Sequence, residues 1–281
     1  MDIVFKNKKF NINPYECYNN EKFPLFIYIT NICNARCEYC ASSCNKYNGD
    51  IDFKELKDFL DEYSTKILRV SISGGEPLIN IKSLKKLLKI LKKYNLNVSL
   101  HTNGYFLQKN IRLLNRFKIN PIMISRHHYD DNLNNEIFKI KTLSLGDLKK
   151  LKSKNKIEIS CLLIKNYIDS MDKVVEFLEQ VSDSEVESVG FVSMLQVNDY
   201  TKKNFVDYRD LIENISDRFK EINKMNDGNR CSCSTYLYMA KNNKIILVYF
   251  KYTKNSNLSG RSLLFDYNGL QAGYYSKKID D

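Results

Sequence analysis

Strand-like and helix-like patterns alternate six times along the chain, and this alternation constrains the fold more than any other feature. Short apolar runs rich in β-branched and aromatic residues predict six strands, at 25–30, 67–73, 96–102, 121–125, 156–164 and 188–195. Segments with apolar residues three and four positions apart predict the helices between them, at 52–63, 83–94, 108–117, 144–153 and 170–181. Repeated units of this length form a parallel sheet, either open or curled into a barrel.

The pattern changes after residue 204. Residues 207–222 have the apolar spacing of a single helix, with Leu211, Phe219 and Ile222 among the inward residues. A pair of strands is predicted around 241–244, and Asn268-Gly269 is typical of a hairpin turn. We therefore divide the chain into three parts, which are an N-terminal extension at 1–24, a core at 25–204 and a C-terminal α+β appendage at 205–281.

Composition favours a cytoplasmic protein. No signal-peptide pattern follows the opening residues, and the longest apolar run, 245–250, is too short to span a membrane. The net charge of +11 comes largely from lysines on the outer faces of predicted helices such as 83–94, so a nucleic-acid partner is an alternative but is not favoured. In a reducing compartment, clustered cysteines indicate metal binding or catalysis rather than disulfides.

Three cysteines follow the first predicted strand directly. Cys33, Cys37 and Cys40 have the spacing C-x3-C-x2-C, and Cys44 comes shortly after them. Three thiolates can each bind one iron of a 4Fe–4S cluster and leave the fourth iron open to a small molecule. With Cys44 as a fourth ligand, the same loop could instead form a tetrahedral zinc site. The spacing does not separate these two interpretations.

A second motif follows the second predicted strand. Gly74, Gly75, Glu76 and Pro77 form the sequence GGEP, and glycines at a strand end expose backbone groups and allow a ligand to approach closely. Active sites of parallel barrels lie on loops at the carboxyl ends of strands. The glycine and cysteine motifs are therefore expected to lie together at the carboxyl end of the barrel.

Together these motifs resemble those of the radical S-adenosylmethionine (radical SAM) superfamily. The resemblance rests on three cysteines with an aromatic residue, Tyr39, before the last of them, on GGEP, and on HTNG at 101–104; it covers residues 22–200. It implies a partial (β/α)6 TIM-type barrel, followed by the small C-terminal α+β appendage. It also implies that Cys33, Cys37 and Cys40 hold a 4Fe–4S cluster, whose open iron is chelated by the amino and carboxylate groups of S-adenosylmethionine (SAM).

The resemblance implies contacts with SAM from several strand ends. Tyr39 is expected near the adenine, and Gly74, Gly75 and Glu76 are expected at the methionine amino group, largely through their backbone.

Two further strand ends complete the implied SAM site. Thr102 and Asn103 are expected near the ribose or methionine, and Ser125 and Arg126 near the ribose and carboxylate. The segment 125–131 departs from the family pattern, because Arg126 and His127 stand where an acidic residue usually follows the serine.

The implied function is an enzyme whose class (oxidoreductase, lyase or transferase) is open. Reductive cleavage of SAM would give a 5′-deoxyadenosyl radical that abstracts hydrogen from a peptide or small-molecule substrate, with a flavodoxin or ferredoxin-type protein as electron donor. Such chemistry is oxygen-sensitive. The alternatives are a radical SAM enzyme acting on RNA or a nucleotide, and a non-catalytic zinc-binding module.

Three residues are candidates for a direct catalytic role. Cys161 lies on the fifth strand, where alternation could point its thiol into the barrel to donate a hydrogen atom, although a core position is the simpler interpretation. Arg126 and His127 could reach the substrate, as could His128, or could simply end a strand. The remaining cysteines are either buried thiols or ligands of an auxiliary cluster, and they are Cys17, Cys44, Cys231 and Cys233.

Overall fold

The computed structural model describes residues 2–11, 22–41, 49–224, 233–252 and 262–272. A hairpin formed by β1 (Asp2–Phe5) and β2 (Lys8–Asn11) precedes the main sheet. The six predicted strands are present, as β3 (Phe23–Tyr28), β4 (Ile67–Ser73), β5 (Val98–Thr102), β6 (Ile122–Ser125), β7 (Ile157–Leu163) and β8 (Val186–Ser193). Five further strands follow, as β9 (Phe219–Lys224), β10 (Cys233–Met239), β11 (Ile245–Tyr252), β12 (Leu263–Asp266) and β13 (Gly269–Ala272).

The five helices predicted between the strands are present. The helices of the structure are α1 (Phe53–Tyr63), α2 (Ile81–Lys93), α3 (Leu107–Leu114), α4 (Asp131–Phe138), α5 (Leu145–Lys150), α6 (Met171–Val181), α7 (Asp199–Lys203) and α8 (Tyr208–Ile212). Of these, α4 and α7 are two further helices that the amphipathic pattern did not predict. Asp52 caps α1, because its carboxylate accepts hydrogen bonds from the backbone N–H groups of Lys54 and Glu55. None of the described helices is long and apolar enough to cross a membrane.

The main sheet has eleven strands in the order β13-β12-β3-β4-β5-β6-β7-β8-β11-β10-β9. Strands β3 to β8 are adjacent in chain order and parallel, so helical crossovers connect them. Two later strands extend this parallel set, since β12 pairs with β3 and β11 pairs with β8. The parallel part is therefore two strands larger than the six predicted. The predicted boundaries at residues 24 and 204 stay a prediction.

The single helix predicted over 207–222 is wrong beyond its first turns. Helix α8 ends at Ile212, and Phe219 begins β9, which pairs antiparallel with β10. The Phe219 ring packs against Tyr238 with centroids 4.7 Å apart, so the sheet buries the apolar side chain that had suggested a helix. Tertiary packing overrides the local helical spacing here.

The apolar faces of the helices cover one face of the parallel sheet. Buried leucines of α2, which are Leu84, Leu87, Leu88 and Leu91, pack in the same core cluster as alternate residues of β7. On β7 these alternate residues are Ile157, Ile159, Cys161 and Leu163, and all are at most 2% exposed. The residues between them therefore face the other side of the sheet, where the candidate site lies.

Candidate active site

A cavity of about 290 Å³ lies at the carboxyl ends of the six central parallel strands. Each of the six strand ends contributes to its wall, through Cys33, Gly74, Thr102, Ser125, Ser160 and Ser193. This is the rim on which the sequence motifs were expected to meet, since parallel strands present their carboxyl ends at the same edge.

The cysteine loop after β3 brings its three thiols to the cavity. Cys33, Cys37 and Cys40 are half-buried, and each lines the cavity. The loop is tied to α4 because the Arg36 N–H donates to the carbonyl of Phe138 at 3.1 Å. The Arg36 guanidinium also donates to the Cys33 carbonyl at 3.2 Å. These bonds fix the loop in a shape that directs all three thiols to one space.

Two of the three sulfurs have hydrogen-bonding groups beside them. The Ala35 N–H donates to Cys33 Sγ at 3.4 Å, and Asn103 Nδ2 lies 3.9 Å from the same sulfur. Cys37 Sγ lies 4.0 Å from the Phe138 carbonyl oxygen, to which its thiol donates. Burial raises the pKa of the Cys37 thiol to about 12, so the metal-free thiol is protonated at neutral pH. The donors at the Cys33 sulfur suit a thiolate that carries negative charge once a metal displaces the proton.

Three thiols that line one cavity fit a 4Fe–4S cluster. Zinc–sulfur bonds of about 2.3 Å require the sulfurs to converge on one point. Over the described ranges, no group of three or more His, Cys, Asp or Glu side chains is arranged to hold a single ion. A cubane, in which each thiolate binds a different iron, needs thiols that share a cavity without converging. Cys44, the fourth ligand of the zinc hypothesis, lies outside the described residues.

The glycine pair docks β4 against the cysteine loop. The Gly75 N–H donates to the Thr30 carbonyl at 2.7 Å, and the Glu76 N–H donates to the Ile32 carbonyl at 2.8 Å. A Cβ on Gly75 would lie 2.0 Å from the Ile32 carbonyl oxygen, and one on Gly74, which has φ +123°, would lie 2.3 Å from that of Thr30. The close approach expected of a ligand is thus made here by the cysteine loop, although both glycines also line the cavity.

Glu76 organises the end of β5 from beneath the cavity. Its carboxylate accepts hydrogen bonds from the Thr102 hydroxyl and the Asn103 N–H, both at 2.8 Å, and from the Leu78 N–H at 3.0 Å. It is 1% exposed, and this burial raises its pKa to about 7 despite the three donors. The side chain is not part of the cavity wall, whereas Thr102 and Asn103 are.

Ser125 and Arg126 face opposite sides of the strand end. Ser125 lines the cavity, as predicted for a residue at the SAM site. The Arg126 guanidinium is instead buried behind the sheet, where it donates to the carbonyls of Leu143 and Tyr129 and to Asp131 at 2.5–2.9 Å. The prediction that Arg126 reaches the cofactor or the substrate is therefore wrong, because its donors hold the α4–α5 region together.

His127 lies at the cavity, beside Tyr39. Its Nε2 is 2.8 Å from the Tyr39 hydroxyl, and its Nδ1 accepts a hydrogen bond from the Leu162 N–H at 3.1 Å. Burial lowers the pKa of His127 to about 3, so the ring is neutral at physiological pH. His128 points elsewhere, and its Nδ1 accepts from the Asp130 N–H at 2.9 Å.

Cys161 does not face the cavity. Its side chain is fully buried among the core residues, while its neighbours Ser160 and Leu162 line the cavity. Of the two interpretations of Cys161, the core position, which was the simpler one, is therefore confirmed, and the thiol that points into the barrel is wrong. Burial raises the pKa of the Cys161 thiol far above its usual range, as for an inert core cysteine.

Several cavity residues were given no role by the sequence motifs. His101, Ser160, Ser193 and Met194 all line the cavity. Burial lowers the pKa of His101 to about 4, so this imidazole is also neutral. The available signal was positional, because His101 and Ser160 occupy the strand positions that alternate with core residues.

The auxiliary-cluster hypothesis falls largely outside the described residues. Cys17, Cys44 and Cys231 are not among them, and of Cys233 only the backbone, in β10, is described. The hypothesis stays a prediction.

Comparison with known proteins shows the family of the chain. The sequence profile of the Radical SAM superfamily matches residues 27–212, which is more than half of the chain. The chain belongs to the radical SAM superfamily. Members of this superfamily are enzymes that use a 4Fe–4S cluster and SAM.

Individual relatives differ in what they act on. A Methanocaldococcus jannaschii protein named as a glycyl-radical enzyme activating enzyme is 29% identical over 157 residues, covering 52% of this chain and 59% of the relative. A GTP 3′,8-cyclase from Clostridium perfringens is 25% identical over 228 residues, covering 75% of this chain and 66% of the relative. The chain thus spans less than two thirds of the length of each.

A solved structure shares the fold. The crystal structure of Streptococcus suis SuiB bound to SAM superposes with a TM-score of 0.69 and 16% identity, covering 92% of this chain and 62% of SuiB. At this identity the likeness concerns the fold.

Proposed function

We propose that Cys33, Cys37 and Cys40 hold the 4Fe–4S cluster of this enzyme and that the adjoining cavity holds SAM. The observation that carries the proposal is the meeting of three thiols with residues from the six central parallel strands around one cavity. When bound, the cluster supplies the electron that cleaves SAM to a 5′-deoxyadenosyl radical. The chain's own residues bind and orient the cofactors and keep water from the site.

Thr102, Asn103 and Ser125 are proposed to contact SAM, together with Gly74 and Gly75. All of them line the cavity beside the thiols. Thr102 and Asn103 are held in place by the Glu76 carboxylate, and Asn103 Nδ2 also bonds the Asn34 side chain at 2.9 Å. Polar groups fixed in this way can select one orientation of a ligand before it binds.

The substrate group that enters the cavity is proposed to be uncharged, as in a peptide side chain or a small neutral molecule. Among the described residues that line the cavity, none is Lys, Arg, Asp or Glu. His101 and His127 are neutral at physiological pH because burial lowers their pKa values to about 4 and about 3. Hydroxyl groups from Ser160 and Ser193 can hydrogen-bond a neutral polar group.

A nucleotide substrate is the second candidate, favoured by the GTP 3′,8-cyclase relatives. A triphosphate needs cationic partners, usually Arg or Lys. The uncharged cavity wall weighs against this candidate, although cations beyond the wall could meet a phosphate. RNA binding, the related alternative, would weaken steeply with salt, and a titration of binding against salt concentration tests it.

The electron donor is proposed to be a flavodoxin or ferredoxin-type protein. A radical SAM enzyme needs a reductant, and the chain's net charge of +11 favours association with an acidic partner. The affinity for a flavodoxin or a ferredoxin should therefore fall as the salt concentration rises. An affinity that does not change with salt would argue against an electrostatic basis for the association.

Anaerobic reconstitution with iron and sulfide tests the proposal. We expect about four irons per chain and formation of 5′-deoxyadenosine from SAM with dithionite as reductant. Cys33→Ala is expected to lose both, whereas Cys161→Ala, a matched cysteine substitution in the core, is expected to keep both. Wild-type protein that binds zinc but no iron, or Cys33→Ala with wild-type product, would refute the assignment.

A further inference from the structure

His101 lines the cavity, and the fold directs its imidazole there without bonding it. Along β5 the core residues Val98 and Leu100 alternate with Ser99 and His101, so the imidazole points to the cavity side of the sheet. Within the described ranges of the chain, neither ring nitrogen of His101 has a hydrogen-bond partner. A polar group of this kind is available to a ligand that enters the cavity.

The other two histidines of the chain differ from His101 in this respect. The Leu162 N–H donates to His127 Nδ1, and the Asp130 N–H donates to His128 Nδ1. A backbone N–H can only donate, so in both rings Nδ1 is the acceptor nitrogen. Burial lowers the pKa of His101 to about 4, so its ring is neutral and offers one N–H donor and one acceptor nitrogen. No bond from the described residues selects which nitrogen of His101 carries the proton.

The position of β5 in the sheet places His101 between residues that are proposed to contact SAM. Strand β5 lies between β4 and β6, and Gly74 follows β4 while Ser125 ends β6. A ligand that contacts both Gly74 and Ser125 crosses the end of β5. The cavity wall at that strand end consists of His101, Thr102 and Asn103. The ligand therefore passes over the imidazole.

We propose that His101 hydrogen-bonds a ribose hydroxyl of SAM. The inference rests on the proposed function, because SAM must occupy the cavity. The ribose is the middle part of SAM, between the methionine and the adenine, and β5 is the middle one of the three strand ends that the ligand crosses. A hydroxyl can accept from the imidazole N–H or donate to the acceptor nitrogen, so it fits either form of the neutral ring.

The test is a double-mutant cycle on the affinity for SAM, measured by isothermal titration calorimetry on the reconstituted, oxidised enzyme without a reductant. The ligands are SAM, 2′-deoxy-SAM and 3′-deoxy-SAM, and the proteins are wild type and His101→Ala. In wild type, removal of the hydroxyl that meets His101 should weaken binding about tenfold, because a hydrogen bond is lost and the imidazole is left unpaired. In His101→Ala the same analogue should bind within about twofold of SAM.

Two further variants separate a direct contact from a structural role. His101→Gln keeps a donor and an acceptor and should regain part of the discrimination between SAM and the deoxy analogue. Ser99→Ala is the matched control on the same face of β5, because the Ser99 hydroxyl bonds the Ser71 hydroxyl at 3.2 Å and Ser99 is not part of the cavity wall. Ser99→Ala should discriminate between the ligands as wild type does.

The outcomes distinguish this contact from the proposed function itself. Wild-type protein that takes up no iron–sulfur cluster, or that takes it up and does not bind SAM, refutes the proposed function. A wild type that binds SAM, with less than about threefold coupling between His101→Ala and either analogue, overturns the contact alone. If His101→Ala takes up too little iron to titrate, ¹⁵N-histidine NMR of wild type decides. SAM should fix the His101 proton on one nitrogen, and ¹⁵N shifts of His101 that SAM leaves unchanged overturn the contact.

Discussion

Replacing Glu76 with glutamine should change how the stability of the protein depends on pH. Glu76 is 1% exposed, and its carboxylate accepts hydrogen bonds from Thr102, Asn103 and Leu78. These three donors favour the charged form, but burial outweighs them and raises the pKa from 4.5 to about 7. The folded protein therefore keeps this proton at pH values where the unfolded chain has lost it.

The sign and size of the effect follow from this difference. Between the two pKa values the folded state binds more protons than the unfolded state, so the free energy of unfolding falls as pH rises. Each tenfold change in proton affinity is worth about 1.4 kcal/mol, so the whole rise from 4.5 to about 7 is worth about 3 kcal/mol. This contribution is complete below the unfolded pKa and is lost once pH exceeds the folded one.

Urea unfolding of the metal-free protein, followed by circular dichroism, measures this contribution. Between about pH 5 and about pH 8.5, the free energy of unfolding of wild type should fall by about 2.5 kcal/mol relative to that of Glu76→Gln, whose side chain does not ionise. The exposed Glu213 at the end of α8 gives a control, since Glu213→Gln should follow the wild-type curve. Wild-type and Glu76→Gln curves that run parallel within about 0.5 kcal/mol would refute the reasoning.

Three further predictions test the loops and the core. Gly75→Ala is expected to abolish iron loading, because its Cβ would lie 2.0 Å from the Ile32 carbonyl oxygen. The control Gly146→Ala, whose Cβ would meet nothing nearer than 3.9 Å, should bind the normal amount of iron. Equal iron content in the two variants would contradict this prediction. Leu87→Ala, fully buried in α2, should lower the free energy of unfolding by about 2–5 kcal/mol in urea titrations, and a loss under about 1 kcal/mol would show that the core repacks. Asp52→Ala removes the cap of α1 and should lower the thermal stability by about 1 kcal/mol, with an unchanged melting temperature as the contrary result.

The six central strands and their helices could be predicted from the sequence because their signals were local. In α2 the residues Leu84, Leu87, Leu88 and Leu91 recur at helical spacing, and all four are buried in the structure. The three cysteines and the glycine pair were found because they follow strands whose carboxyl ends share one edge. The hydrogen bonds that join His127 to Tyr39 and Leu162 could not be found in this way, since these residues meet only when three strand ends are assembled.

The C-terminal region shows where local signals fail. Residues 211–222 have apolar side chains at helical spacing, yet Phe219 and the residues that follow form a strand. The deciding contact is with Tyr236 and Tyr238 on β10, whose rings lie 6.1 and 4.7 Å from Phe219. A pairing partner that arrives later in the chain cannot be read from a short window.

Cys161 and Arg126 lie away from the cavity for one reason, which is the parity of their positions along a strand. On β7, Cys161 shares the parity of the buried apolar residues Ile157, Ile159 and Leu163, so its place in the core could be read from the sequence.

The same argument separates the residues after β6. Ser125 and His127 lie two positions apart and both line the cavity, whereas Arg126 between them is turned to the opposite side. Buried parallel strands are usually apolar on both faces. Here the side of the strand ends that faces the cavity is largely polar, because it forms the wall of a ligand site. The polar residues on this side therefore indicate function at positions that no motif includes.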